Sequence, residues 1–154
     1  MSVIRTRMAL LLAFAITAPA AAHAQIDSGR VPLRTAMTEL HTFRAAYADF
    51  YNKKDAAGLA TTYAPDAHLL LSDGTVLSGI AAIKAYTTKM APTFPHLVIT
   101  PGTTVVFGST AVEDGTLTYH PATGATVVEH YHVVLRRGMK DWLILQTAAV
   151  TAGK

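Results

Sequence analysis

The order of helical and strand patterns along the chain is the feature that most limits its possible folds. Residues 43–86 have the pattern of a helix end, a short second helix, a tight hairpin and the start of a third helix. Only strand patterns follow, up to the C-terminal end. Helices followed by a run of strands predict an α+β fold rather than alternating β-α-β units.

The first helix is predicted to open at Val31-Pro32, because proline is tolerated in a first turn. Its apolar residues recur at spacings of three and four and therefore form one stripe, which we expect to lie on a broad apolar surface. The members of this stripe are Leu33, Ala36, Met37, Leu40, Phe43, Tyr47, Phe50 and Tyr51. Asp55 is a suitable N-cap for a short helix through Tyr63, which Pro65 ends.

A hairpin and a third helix come next. Asp73-Gly74 lies between two apolar runs, at residues 69–71 and 75–77, and this is a strong hairpin pattern. Ser78 is predicted to cap the third helix. In that helix Ile80, Ile83 and either Tyr86 or Thr87 share one face, and Pro92 and Pro95 end it.

Four long strands are predicted at residues 97–107, 111–120, 126–137 and 142–150, separated by short turns. Short turns make them an antiparallel meander. Strands of about ten residues span roughly 30 Å and must twist, and Pro101-Gly102 predicts a bend or bulge within the first of them. A bent sheet with the first helix on one face leaves a hollow of ligand size.

The N-terminal segment has the pattern of an export signal. Arg5 and Arg7 precede an apolar run at residues 8–17, and Ala22-His23-Ala24 is a small-x-small cleavage sequence. The run is too short to cross a bilayer. Cleavage after Ala24 would leave one domain at residues 25–154, periplasmic or secreted and without a membrane span. The protein has no cysteine, so its core must stabilise it without disulfides.

Charge argues against a nucleic-acid partner. Without the two N-terminal arginines the formal charge of +3 falls to +1, because 11 basic and 10 acidic residues remain. No long basic run survives beyond Lys53-Lys54 and Arg136-Arg137. The sequence also lacks a glycine-rich phosphate loop and an HExxH motif, so it predicts no cofactor and no dedicated metal site.

Several segments together resemble a known family. The segment AAYADFYNKKDAAGLATTYAPDAHLLLSDGTVLSG, followed by GIAAIKAY, TAVEDGTLTY and YHVVLRR…DWLILQ, is similar to the NTF2-like superfamily and within it to SnoaL-like and DUF4440-type proteins. This resemblance implies a cone of three N-terminal helices and a strongly curved, mostly antiparallel sheet, and a homodimer formed through the sheet face. It leaves function open, because the superfamily includes isomerases, cyclases, dehydratases, hydrolases and non-catalytic binders.

One enzymatic branch of the superfamily can be compared by position. Ketosteroid isomerases resemble this chain in their helix tyrosine, which corresponds to Tyr47. Their base aspartate corresponds to Leu71, which cannot accept a proton, although Asp73 lies two residues further on. Their second acid falls within residues 129–132. One match, one loss and one substitution do not support isomerase chemistry of that type.

The predicted ligand pocket combines the first helix with the last strands. Its members are Phe43, Tyr47, Tyr51, Leu71, Tyr131, Val133 and Gln146. The Tyr47 hydroxyl either binds a ligand oxygen or is a core group with a partner inside the protein. We interpret the protein as a small-molecule binder. If it is an enzyme, we expect lyase, isomerase or hydrolase chemistry. The alternative is a non-catalytic accessory module with a filled interior. The ligand itself is not predicted.

His130 and His132 are the candidate acid-base groups. They alternate along one strand, so both side chains point to the same face. Three interpretations remain open: a pocket pair working with Gln146, a metal pair completed by His68 or Glu113, or an outer polar face. The opposite set of Val127, Tyr131, Val133 and Leu135 is the more apolar one, and this favours the outer face.

Overall fold

A computed structural model of the protein describes residues 32–139 and 141–151. The predicted signal segment, its cleavage after Ala24 and the lead-in through Val31 lie outside the described residues. The helices are α1 (Leu33–Asn52), α2 (Ala56–Thr61), α3 (Ile80–Met90) and a 3₁₀ turn (Ala91–Thr93). The strands are β1 (Tyr63–Leu70), β2 (Val76–Ser78), β3 (His96–Phe107), β4 (Thr110–His120), β5 (Val127–Arg137) and β6 (Trp142–Thr151).

The six strands form one open, curved sheet in the order β2-β1-β6-β5-β4-β3. Every neighbouring pair is antiparallel except β1 and β6, which run parallel. The four long strands begin and end within one residue of their predicted bounds. The β3–β4 register shifts between Pro101 and Thr104, so the predicted bend or bulge is confirmed as an interruption of the ladder. The α+β class and the predicted arrangement of N-terminal helices with a curved, mostly antiparallel sheet are therefore confirmed.

Helix α1 lies across the concave face of this sheet and is fastened to it at three points. Near its start, Glu39 accepts hydrogen bonds from two nitrogens of Arg137 and from the indole of Trp142. In the middle, Arg44 pairs with Glu113. At its end the Asn52 amide exchanges two hydrogen bonds with the backbone of Leu97. The core between helix and sheet is built mainly from Leu40, Leu59, Ile83, Leu135, Trp142 and Ile144.

The N-terminal turn of α1 departs from the predicted stripe. Leu33 is 63% exposed and Met37 is 37% exposed, whereas Ala36 and Leu40 are buried. Pro32 is the N-cap rather than a residue of the first turn. The exposed residues of this turn therefore contribute little to the core, and the residues of α1 that line the hollow begin at Leu40.

The predicted end of the second helix was wrong. Tyr63 opens β1 instead of closing α2, and Pro65 lies inside that strand. The strand tolerates proline because the β1–β6 register is interrupted between Tyr63 and His68, where a backbone N–H is not needed for the ladder. The Asp55 cap is confirmed, since its carboxylate accepts from the Gly58 N–H.

The predicted cap of the third helix was also wrong. Gly79 is the N-cap of α3, with φ of 81°, and no side chain caps the helix. Ser78 remains in β2, where its hydroxyl lies 3.1 Å from Nδ1 of His68 on the paired strand. The positive φ that turns the chain into α3 is one that glycine adopts at low cost. No helix in the described residues is long and apolar enough to cross a membrane.

Candidate functional site

A small apolar cavity, called here the inner chamber, lies between the middle of α1 and the concave face of the sheet. Its volume is about 60 Å³. Twelve side chains line it: Leu40, Phe43, Arg44, Tyr47, Ile99, Glu113, Leu117, Tyr131, Val133, Leu135, Ile144 and Thr147. Polar atoms come mainly from the Arg44–Glu113 end, so the inner chamber has an apolar body and one charged end.

A larger hollow, the outer chamber, continues toward the C-terminal end of α1. Its volume is about 370 Å³, which falls in the range of small-molecule sites. It shares Tyr47, Leu117 and Thr147 with the inner chamber. Its wall also includes Tyr51, Tyr63, Leu71, Tyr86, Phe94, Tyr119 and Glu129. These three shared residues form the boundary between the two chambers.

Tyr47 lies at that boundary and is paired with a second tyrosine. Its hydroxyl is 3.2 Å from the hydroxyl of Tyr63, the first residue of β1. Burial raises the pKa of Tyr47, and burial together with the neighbouring Tyr47 raises that of Tyr63 well above its usual value. Both phenols are therefore protonated at neutral pH and can donate hydrogen bonds.

A buried carboxylate closes the far end of the inner chamber. Glu113 is 2% exposed, and its Oε2 accepts from Arg44 Nη1 at 2.6 Å and from the Thr104 hydroxyl at 2.7 Å. Its Oε1 accepts from the Tyr131 hydroxyl at 2.7 Å. Both oxygens are thus engaged, as a buried charge requires. Such a carboxylate is suited to fixing Arg44 and Tyr131 rather than to removing a proton from a ligand.

Tyr131 reaches Glu113 across the sheet surface. It lies in β5 with its side chain toward the chamber, and its neighbour in the ladder is Gly115 of β4. Burial, followed by the hydrogen bond and the charge of Glu113, raises the pKa of Tyr131. The phenol stays protonated and donates to the carboxylate.

Most of the predicted pocket residues line one chamber or the other. Phe43, Tyr47, Tyr131 and Val133 line the inner chamber, and Tyr51 and Leu71 line the outer chamber together with Tyr47. The residues near Leu71 behave as predicted for a turn, since the Asp73 carboxylate accepts from the Thr75 N–H. That hydrogen bond lowers the pKa of Asp73, which lies outside both chambers.

Gln146 is an exception and the prediction for it was wrong. It is exposed, whereas Ile144 and Thr147 line the inner chamber. The cause is a β-bulge: Ile144 pairs with Leu135 and Gln146 with Val134, so Leu145 is an extra residue on β6. Without the bulge, alternation from Trp142 and Ile144 would have directed Gln146 inward.

His130 and His132, the candidate acid-base groups, do not lie in the pocket either, so of the three open interpretations the outer polar face, which alternation favoured, is the correct one. Both are exposed, while Tyr131 between them is buried. Their rings therefore lie on the outer face, opposite Glu113, so the metal arrangement with Glu113 does not form. In the described part of the chain, no group of three histidine, aspartate or glutamate side chains could hold a metal ion.

Sequence reasoning missed several lining residues, and Arg44 and Thr147 are two examples with different causes. Arg44 follows Leu40 by four residues and precedes Tyr47 by three, so helical spacing alone places it on the inner stripe. A charged residue at such a position indicates a buried partner. Thr147 carried no comparable pattern, because its inward direction depends on the bulge at Leu145.

The comparisons with known proteins agree with the fold described above. Residues 43–145 match the family model described as SnoaL-like domain. Among solved structures, a protein of unknown function from Mycobacterium tuberculosis has 19% identity and a TM-score of 0.71, and covers 77% of this chain and 77% of its own. The comparison with curated proteins found no match.

Two further solved structures carry names that suggest activities for those proteins. A candidate dehydratase of the NTF2-like family from Streptomyces avermitilis has 14% identity and a TM-score of 0.69, with 80% of this chain and 100% of that chain covered. A candidate aromatic ring hydroxylase from Novosphingobium aromaticivorans has 18% identity and a TM-score of 0.65, with 81% and 94% covered. At these identities the likeness establishes the fold alone. The family match spans most of the chain, and the protein therefore belongs to the SnoaL-like domain family, with an NTF2-like fold.

Proposed function

We propose that this protein binds a small, largely apolar molecule in the two connected chambers between α1 and the sheet. The observation that carries the proposal is the outer chamber of about 370 Å³, which borders the inner chamber at Tyr47. Apolar walls with a few fixed polar groups are typical of ligand sites. The protonated Tyr47 hydroxyl supplies a donor for a ligand oxygen.

Binding is favoured over acid-base catalysis as the function. His130 and His132 lie on the outer face, and Tyr47 and Tyr131 are protonated at neutral pH because their pKa values are raised. Glu113 is already bound to Arg44, Thr104 and Tyr131. Among the lining residues that the structure describes, Glu129 of the outer chamber is the remaining carboxylate, so a dehydratase activity, as named for one structural relative, would have to use it as the base.

A titration with the neutral fluorescent probe N-phenyl-1-naphthylamine tests the proposal. The probe should bind the wild-type protein and gain fluorescence. Leu117→Trp should abolish this gain, because Leu117 lines both chambers. Thr118→Trp is the matched control, since the next residue in the strand points to the outer face. Equal binding by both variants would overturn the proposed site.

The second candidate is a non-catalytic accessory module whose interior is filled by its own side chains. The small inner chamber, about 60 Å³, favours it. Native mass spectrometry of protein isolated from its own host separates the two functions. A co-purified small molecule that is lost in Leu117→Trp supports binding. Its absence, together with no response of the fluorescent probe, supports the accessory module.

We also propose that the chain is exported and forms a homodimer. Residues 1–24 carry the basic start, apolar run and cleavage sequence of an export signal. The homodimer is supported by an apolar surface on the outer face of the sheet, where Val98, Val128 and Val150 are 42%, 40% and 58% exposed. An N-terminus beginning at Gln25, measured by intact mass on the mature protein, would support export. An uncleaved N-terminus would refute it.

A further inference from the structure

The outer chamber has an unusual charge pattern. Among its lining residues Glu129 is the one that carries a formal charge at neutral pH, and no lysine, arginine or histidine belongs to the lining within the described residues. Six of its lining residues are aromatic: Tyr47, Tyr51, Tyr63, Tyr86, Phe94 and Tyr119. The wall therefore combines aromatic rings with a single negative group.

Glu129 has no cation beside it within the part of the chain that the structure describes. It is half-buried, its side chain faces inward from β5, and no lysine or arginine there forms an ion pair with it. Its hydrogen bond from the Thr151 hydroxyl is long, at 3.4 Å. A carboxylate that is partly withdrawn from water is stabilised when a cation approaches it.

Aromatic rings stand near this carboxylate. Tyr51 and Phe94 are stacked with their centroids 4.2 Å apart, and the Tyr119 ring is 6.1 Å from Tyr51 at an angle of 46°. Burial, then the neighbouring Tyr51 and the charge of Glu129, raise the pKa of Tyr119, which supports the proximity of these groups. Aromatic faces attract ammonium groups, most strongly where water is partly excluded.

We propose that the outer chamber selects ligands that carry an amine or quaternary ammonium group, held by Glu129 and by the wall of Tyr51, Phe94 and Tyr119. The apolar part of the ligand then extends toward Tyr47 and Leu117, at the boundary with the inner chamber. This inference rests on the proposed function and assigns it a ligand class, namely hydrophobic cations.

Three probes of one length test the charge preference: 4-phenylbutylamine, 4-phenylbutan-1-ol and 4-phenylbutanoate. Each is titrated against protein loaded with N-phenyl-1-naphthylamine, at low salt and pH 7. We expect the amine to displace the probe at about tenfold lower concentration than the alcohol. The carboxylate should be the weakest of the three, because it approaches Glu129 with like charge.

Glu129→Gln keeps the shape of the side chain and removes its charge. In this variant the preference for the amine over the alcohol should fall to roughly twofold, the part that the aromatic wall supplies. Asp49→Asn is the control: it changes the net charge equally but lies exposed on α1, outside both chambers. It should keep the wild-type preference.

The outcomes separate this inference from the function on which it rests. Equal displacement by amine and alcohol in the wild-type protein, or an unchanged preference in Glu129→Gln, would refute cation selection while leaving ligand binding intact. Failure of N-phenyl-1-naphthylamine to bind at all would refute the proposed function as well. The wild-type series decides the question alone if Glu129→Gln does not fold.

Discussion

Gly115 lies directly opposite Tyr131 in the β4–β5 ladder, and the tyrosine ring occupies the space that a side chain at position 115 would need. A Cβ atom there would lie 2.7 Å from Cε1 of Tyr131 and would also collide with the backbone carbonyl oxygen of Thr100. The missing side chain lets Tyr131 cross the sheet surface and donate to Glu113. One glycine thus sets the charged end of the inner chamber.

Gly115→Ala should destabilise the protein by roughly 2 kcal/mol. The collision with the Thr100 carbonyl cannot be relieved by rotating a side chain, and it outweighs the usual gain from replacing glycine. The free energy of unfolding, measured with urea, checks this. Thr116→Ala, one residue further on the outer face, is the control and should cost less. A Gly115→Ala protein as stable as wild type would contradict the account.

Glu113→Gln should lower the free energy of unfolding by about 3 kcal/mol, because it leaves the Arg44 guanidinium largely buried without a counter-charge. Asp49→Asn removes an exposed pair with Lys53 and should cost less than about 0.5 kcal/mol. Urea denaturation of both variants at neutral pH measures the difference. Similar costs at the two sites would show that the Glu113 cluster is not an electrostatic anchor.

The Glu39 cluster predicts a pH dependence. The hydrogen bond from Arg137 lowers the pKa of Glu39 below its ordinary value of 4.5, and Trp142 adds to this against the effect of burial. Because the folded pKa is depressed, this contribution is present above about pH 5 and is lost as pH falls through the folded pKa. Glu39→Gln should therefore be clearly destabilised at pH 7 and approach wild type near pH 3.

Urea unfolding of wild type and Glu39→Gln at pH 7, 4.5 and 3 measures this change. Titration of the remaining acids, including Asp66 beside Arg136, affects both proteins alike and cancels in the difference. A difference in stability that is the same at every pH would contradict the assigned role of Glu39.

Tyr47→Phe and Tyr63→Phe form a matched pair. Each removes the same hydroxyl–hydroxyl hydrogen bond, so each should cost about 1 kcal/mol of stability. Of these two tyrosines, Tyr47 lines both chambers and Tyr63 lines the outer chamber alone. Loss of the Tyr47 hydroxyl should weaken binding of 4-phenylbutan-1-ol several-fold, and loss of the Tyr63 hydroxyl should have a smaller effect. Competition against N-phenyl-1-naphthylamine measures both. If the two variants bind 4-phenylbutan-1-ol equally well, the Tyr47 hydroxyl is not a specific ligand contact and Tyr47 has a core role.

The proposed dimer makes a prediction for the outer face of the sheet. Val128 is exposed there and pairs with Thr118, which in turn pairs with Val98. In a two-fold interface Val128→Lys would place two like charges close together. Light scattering should give a dimer mass for wild type and a monomer mass for this variant. Ala45→Lys on α1 is the control and should remain dimeric. A monomeric wild-type protein would remove the proposal.

Local patterns were enough to predict most of the fold. Alternation and turn glycines located β3 to β6 to within a residue, and the helical stripe placed Phe43, Tyr47 and Tyr51 on the chambers. What failed depended on partners distant in sequence. The bulge at Leu145 turned Gln146 outward, and the interrupted ladder accommodated Pro65 in a strand. Neither the bulge nor the interrupted ladder can be predicted from the residues immediately around it, because both depend on the pairing with another strand.

The charged end of the inner chamber also combines features that local sequence patterns predict with contacts between residues far apart in sequence. Alternation along the strand predicts that one of Glu113 and Asp114 faces inward. It does not predict that Glu113 pairs with Arg44, because the two residues are 69 positions apart in sequence. Tyr131 was predicted as a pocket residue, whereas its hydrogen bond depends on the open space at Gly115.

A crystal structure with N-phenyl-1-naphthylamine bound tests the central claim most directly, because it locates the ligand. We expect the probe between α1 and the concave face of the sheet, in contact with Tyr47 and Leu117. Density for the probe only on the outer face, near Val128 and His130, would contradict the account.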